Sequence, residues 1–440
     1  MILSRYKFFA LVKTILIIII LVINTSCAGN KSRYSTLINT SHLDFLYEKI
    51  NVNGKDMGII HIYSNYPDYK WTGDDDEGIA CVDDAARAAL FYMKYYNLTG
   101  GNSNLIKTEN LVKFILYMQA ENGFYYNFIW PDHSINKTFK TSISKPDWWS
   151  WRAILTLSKA YFFFKNKNAD LTEKIIQSLN NAVNAAIKWL NRDSINKYVN
   201  YGGLKLPAWL PYETAADQSA VLLEGLTDYY RINKDPKVLI FINLLADGIL
   251  QMQKGDSTEF PYAAFLSWQN TWHAWGNNQA SSLLYSGKAF INDNFISHAL
   301  NEVKYFYPFL IKEKFLSAFK IESADHINKL IDPEKFSQIA YDIRPTVFAC
   351  LRAYNATNDT DYLKTGLDIV KWFFGQNVAG VQMYNPLTGL CFDGINDDSV
   401  INKNSGAEST IEALLSLIAL EENPFSKKML LDYYNENINK

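Results

Sequence analysis

A short polar turn returns six times along this chain at nearly even intervals, and that recurrence limits the fold more than any other feature. The turns are Asn97-Leu98-Thr99-Gly100, Lys165-Asn166-Lys167-Asn168, Asn233-Lys234-Asp235-Pro236, Asn292-Asp293-Asn294, Asn355-Ala356-Thr357-Asn358 and Glu421-Glu422-Asn423-Pro424, their first residues 59 to 68 apart. Asn, Gly, Asp and Pro supply turn geometry. Before each turn lies a stretch almost free of charge: residues 85–96, 149–164, 215–230, 279–290, 345–354 and 410–420. The stretches after the turns, such as 172–190 and 361–374, alternate charge and apolar residues with helical period. One such hairpin cannot cover its own apolar face, so the units must stack on one another. Six of them predict an all-α fold, an (α/α)6 toroid with an apolar inner ring and an amphipathic outer ring; an open solenoid is the alternative. Long inserts before the inner helices, 123–145 and 376–403, favour closure with a loop-built face. Their alternating runs, such as Phe124-Tyr125-Tyr126-Asn127-Phe128-Ile129, read as short β-hairpins, and residues 57–69 as a further strand. The periodicity argues for one domain over residues 28–440, although length alone suggests two or three.

Residues 1–27 have the layout of an export signal. Arg5, Lys7 and Lys13 precede an apolar run over residues 15–23, followed by Asn24-Thr25-Ser26-Cys27. The cysteine predicts a lipoprotein-type signal with Cys27 lipidated, although Asn24 stands where such motifs usually carry Leu. The alternative is an uncleaved anchor, for which the run is short. Either reading places the body outside the cytoplasm, at the periplasmic face of a bacterial membrane or the cell surface. Cys81, Cys350 and Cys391 lack the spacing of a zinc cluster and are compatible with one disulfide or with three buried thiols.

Forty-three Lys and Arg against 45 Asp and Glu give a formal net charge of −2. No basic excess marks a nucleic-acid partner. Aromatic residues make up 15% of the chain, with 11 Trp and 28 Tyr; such rings line sugar clefts and fill ordinary cores alike.

In a ring of alternating helices all inner helices run one way, so their N-termini meet at one end. This converts spacing into position. The residues gathered there are Asp83 and Asp84, Trp148, Trp149 and Trp151, Glu213 and Asp217, Trp268, Trp272, His273, Trp275 and Asn278, Tyr341, Asp342 and Arg344, and Asn404 to Glu408. One aspartate is explained by helix capping, but a pair is not. Arg87, one turn later, is placed to neutralise either. Glu213 and Asp217 are four apart, which puts them on one helical face. Asp74-Asp75-Asp76-Glu77 lacks the spaced ligands of a calcium loop and reads as a solvated acidic loop. Glu408 stands among small uncharged neighbours, a setting that raises a carboxyl pKa and suits a general acid. Its Ser405 spacing equally fits a capping box. Carboxylates on the first and last inner helices face each other where the ring closes. Such a pair, ~6.5–9.5 Å apart, cleaves glycosidic bonds with inversion. Asp83 or Asp84 is then the base and Glu408 the acid. The tryptophans would stack on sugar rings, with Arg344 and Asn278 supplying hydrogen bonds.

Cys81-Val82-Asp83-Asp84-Ala85-Ala86-Arg87 and the segment 404–410 resemble, in position, motifs of the six-hairpin glycosidase superfamily, particularly around glycoside hydrolase family 9. The similarity spans roughly residues 40–438. It implies a paired-aspartate motif holding the water-activating base and a glutamate near the last inner helix as the acid. Here the aspartates are adjacent, where the family separates them by two residues, and the family's Asn-Glu pair is absent. Related toroids include unsaturated uronyl hydrolases, polysaccharide lyases that use Tyr, His or Arg, and His-dependent sugar epimerases, usually cytosolic. Tyr341, Arg344 and His273 keep the lyase reading open. A glycan-capture lipoprotein without catalysis is the non-enzymatic alternative. The expectation is an exported, monomeric glycoside hydrolase with a carbohydrate substrate and a membrane anchor, needing no metal or organic cofactor.

Overall fold

The computed structural model describes residues 34–190, 194–325 and 327–438. The signal segment and Cys27 lie outside them. By contacts these residues form two compact units: one is 37–430, and a small one comprises the described residues before 37 and after 430. Among the described residues no helix is long and apolar enough to cross a membrane.

Unit 37–430 is built on six inner helices, Val82–Thr99, Trp148–Phe164, Ala216–Asn233, Gln279–Phe290, Ala340–Thr357 and Ala407–Glu421. Each packs on the next, and the sixth packs back on the first, closing the ring. The outer helices are Asn102–Tyr117, Ala169–Trp189, Pro236–Gln251, Asp293–Asn301 continued by Tyr307–Lys312, Asp361–Val370, and the part of Pro424–Asn437 up to residue 430. The toroid is therefore closed, and the solenoid alternative is set aside. Close approach between the second and third inner helices explains a glycine. A Cβ on Gly225 would stand 2.9 Å from the Leu155 backbone.

Inner-helix boundaries differ most in the fifth hairpin. Pro345 reads as a helix start, yet it lies inside Ala340–Thr357. Its missing N–H leaves the Tyr341 carbonyl without a helical partner, a loss confined to the first turns, where packing on the ring holds the helix. The fourth outer helix widens to a π-turn over Glu302–Phe306.

Short antiparallel pairs decorate the mouth. Tyr47–Val52 pairs with Lys55–Ile60, Tyr63–Asn65 with Lys70–Thr72, and Gly394–Asp397 with Val400–Asn402. The run 124–129 does not form its own hairpin: only Phe128–Ile129 is a strand, and it pairs with Ala80–Cys81 just before the first inner helix. This pairing anchors the helix start that carries Asp83 and Asp84. The three described cysteines are buried free thiols.

Candidate functional site

Cys81 caps the first inner helix, its Sγ accepting the Asp84 N–H at 3.4 Å. Neither aspartate is therefore spent on capping. Asp83 is ion-paired with Arg152 from the second inner helix. Its other oxygen, Oδ1, is buried without a hydrogen-bond partner among the described residues. Asp84 turns the other way. It accepts from Arg87 Nη2 at 2.8 Å and from the Cys81 thiol at 3.2 Å. Burial, opposed by the Arg87 charge, raises its pKa to about 6.

Arg87 joins the ring's first and last helices. Its Nη1 donates to Glu408 Oε2 at 2.7 Å and to Glu412 Oε1 at 3.3 Å. The carboxyl of Glu408 is thus held by a guanidinium and its side chain is 44% exposed, so the apolar setting expected for it is not formed. The Ser405 capping box is also absent: Gly406 is the N-cap, with no side-chain bond, and Ser405 Oγ serves Cys391 N–H instead. Behind this layer, fully buried Glu412 accepts from Arg344 Nε at 2.6 Å, and Arg344 Nη1 donates to Asn278 Oδ1 at 2.8 Å. Tyr341 sits among three guanidinium groups, those of Arg87, Arg152 and Arg344, at 5.3, 5.1 and 5.2 Å from its ring centre. Its hydroxyl accepts from Arg152 at 2.6 Å. Three guanidinium groups thus face the four carboxyl groups of Asp83, Asp84, Glu408 and Glu412.

A cavity of about 270 Å³ opens above this cluster, lined by Tyr63, Glu77, Asp83, Asp84, Asp393 and Glu408, among others. Glu77 belongs to the acidic loop read as solvated; its carboxylate instead accepts from Thr141 and faces the mouth. Asp393 is held by Gly406 N–H and Ser409, and burial raises its pKa. Sequence spacing missed Glu77, Asp393, Tyr63 and Arg152. Only Arg152 had a visible signal, one turn after the Trp148 cluster. Among the described residues no group of His, Cys, Asp and Glu is arranged to hold a metal ion.

Several expected substrate contacts are elsewhere. Trp149, Trp151 and Trp272 are core residues; Trp151 donates to Gln218 and is fully buried, because the first turn of an inner helix faces neighbouring helices on most sides. Glu213 is not on the helix at all. It precedes Ala216 with φ +77°, exposed, accepting from Tyr201. Asp217 is buried against His273 Nε2 at 3.0 Å, and Asp342 caps its own helix by accepting Ile339 N–H. Asn404 fixes the Tyr66 N–H in a loop. Trp148 and Trp275 do reach the rim, their rings 5.7 Å apart, with Trp275 40% exposed.

No protein-family model matches the sequence, and no curated protein matches it. Solved structures do. A cellobiose 2-epimerase from Bacillus thermoamylovorans B4167 superposes with a TM-score of 0.58 at 11% identity, over 86% of this chain and 95% of its own. A family 76 glycoside hydrolase from a bovine Bacteroides thetaiotaomicron strain gives 0.52 at 12% identity, over 88% and 79%. A metagenome-derived glycoside hydrolase family 9 endoglucanase gives 0.50 at 13%, over 86% and 78%. At such identities the likeness is one of fold, and it is the fold the repeats predict: the chain is an (α/α)6 toroid.

Proposed function

We propose that this chain is a carbohydrate-active enzyme that hydrolyses glycosidic bonds of an oligo- or polysaccharide, with inversion, at the mouth of the ring. One observation carries the reading: among the described residues the mouth cavity is lined by five carboxylates, Glu77, Asp83, Asp84, Asp393 and Glu408, and by no histidine. A carboxylate pair is what glycoside hydrolysis uses, whereas a histidine-based epimerase needs imidazoles there. At about 270 Å³ the cavity is near the lower end of ligand pockets, ~300–1,000 Å³, which suits one sugar ring, with Trp148, Trp275 and Tyr63 at the rim for its neighbours.

The electrostatics favour a reversal of the expected roles. Burial keeps Asp84 protonated up to about pH 6, while Glu408 is ion-paired with Arg87 and partly exposed to solvent. Asp84 then donates its proton to the glycosidic oxygen as the bond to the anomeric carbon breaks. Glu408 takes a proton from the water that attacks that carbon. Asp83, with one free oxygen, accepts a hydroxyl of the sugar. Solvent exchange returns both carboxyl groups to their starting states. The protein is proposed to act as a monomer outside the cytoplasm, tethered through lipidated Cys27.

The test is a hydrolysis screen against a broad glycan panel with Glu408→Gln and Asp84→Asn alongside. Release of reducing ends by the wild type, lost in both variants with unchanged circular dichroism, supports the reading. Sugar binding without turnover, indifferent to both substitutions, would replace it with glycan capture.

A further inference from the structure

Beneath the mouth, inside the ring, a second and larger chamber of about 870 Å³ runs down the inner helices towards their turns. Its wall follows single helical stripes: Arg87 to Asn97, Arg152 to Lys159 and Lys167, Tyr341 to Arg352 and Asn355. Only Arg87 reaches both cavities, so the Arg87 layer is the partition between them. The chamber opens at the opposite end, where Asn97, Lys167, Arg231, Lys288 and Asn355 are exposed.

Below the partition the wall carries Lys94, Lys159, Lys167, Arg231, Lys288 and Arg352, but Glu224 is the sole carboxylate in it. Some of this charge is answered from behind. Glu224 pairs with Lys159 and Arg352, Asp228 with Lys159 and Arg231, and Glu422 with Lys94. Six cations thus face three carboxylates. Among the described residues Lys167 and Lys288 donate only to backbone carbonyls, of Phe163 and Asn355. Two buried polar atoms in the wall have no partner among the described residues, Arg87 Nε and Ser282 Oγ. Tyr285 and Phe348 supply flat apolar faces. An unanswered cationic surplus in a recess raises the local concentration of anions, and buried polar atoms without a protein partner are groups that a water, ion or ligand atom would satisfy.

We infer that this chamber is a second binding site, entered from the turn side, for a small hydroxyl-rich molecule bearing an oxyanion, such as a sugar acid or sugar phosphate. The lysines and arginines hold the oxyanion, Ser282 takes a hydroxyl, and Tyr285 takes a ring face.

Titration calorimetry of the whole protein with inorganic phosphate, D-glucuronate, glucose 6-phosphate and neutral D-glucose tests this. Glucuronate or glucose 6-phosphate should bind at least about tenfold more tightly than glucose, and the preferred one of the two identifies the oxyanion. Binding should weaken with added salt. Lys288→Glu, at the exposed rim and tolerable to the fold, should weaken it about tenfold; Arg352→Lys, which keeps the charge, provides a milder second probe. Glu408→Gln should leave it unchanged, so this site stands or falls independently of catalysis at the mouth. Equal binding of glucose and glucuronate, absence of anion binding at millimolar concentration, or indifference to Lys288→Glu would overturn the inference.

Discussion

Glu302 offers a quantitative test of how this fold handles buried charge. It lies in the π-turn of the fourth hairpin, fully buried, with one oxygen accepting the Phe265 N–H at 2.8 Å and the Tyr307 hydroxyl beside its carboxyl group. Burial raises its pKa from 4.5 to about 8. Because the folded value lies above the unfolded one, its contribution to stability is fully present below about pH 4.5 and is lost as pH rises to about 8. Each unit is worth about 1.4 kcal/mol, so ~3–4 kcal/mol disappears between about pH 5 and pH 8. Gln has the shape of the neutral acid and does not titrate. Glu302→Gln should therefore gain on the wild type by ~3–4 kcal/mol over that interval, whatever constant offset the substitution carries. Urea unfolding followed by circular dichroism at several pH values measures the difference. Parallel stability curves for the two proteins would refute the reasoning. Activity should not change, since Glu302 lines neither cavity.

Other outcomes follow from the site. If Asp84 is the proton donor, kcat/KM should fall as pH rises through about 6, and Asp84→Asn should cost about 100-fold or more in kcat and abolish that limb. Arg87→Met breaks buried pairs to Asp84 and Glu412 and should destabilise by ~3–5 kcal/mol in denaturant melts. Arg87→Lys should not restore activity, because a single ammonium cannot span both carboxylates as the guanidinium fork does. Trp272→Ala, emptying a core position, should lower stability by ~3–5 kcal/mol, while Trp275→Ala at the rim should leave stability nearly intact and raise KM several-fold.

The ring was legible because its signal is local and repeated. Charge-poor stretches such as 279–290 coincide with the fourth inner helix, Gln279–Phe290, residue for residue. Direction was legible too, since alternating helices must gather the N-termini of the inner ones. Environment was not. Glu408 owes its surroundings to Arg87, 321 positions away, so its small neighbours in sequence gave the wrong impression of an apolar setting. Glu77 and Asp393 reach the mouth from inserts whose paths depend on tertiary packing. A tryptophan in the first turn of an inner helix faces either the rim or the next helix, and Trp148 and Trp149, adjacent in sequence, take one route each. The lower chamber was hidden for a similar reason: its lysines and arginines are scattered singly along otherwise apolar helices, and only the closed ring brings them together.

Carboxylate chemistry at the mouth is tested most directly by following a substrate oligosaccharide from the glycan panel by proton NMR in D2O with the wild type and Glu408→Gln. The wild type should cleave the glycosidic bond, release product of inverted anomeric configuration and place no deuterium on ring carbons, and the variant should be inert. Deuterium entering at C2 of an uncleaved sugar, with activity surviving in Glu408→Gln, would contradict hydrolysis and point to epimerisation on the same ring.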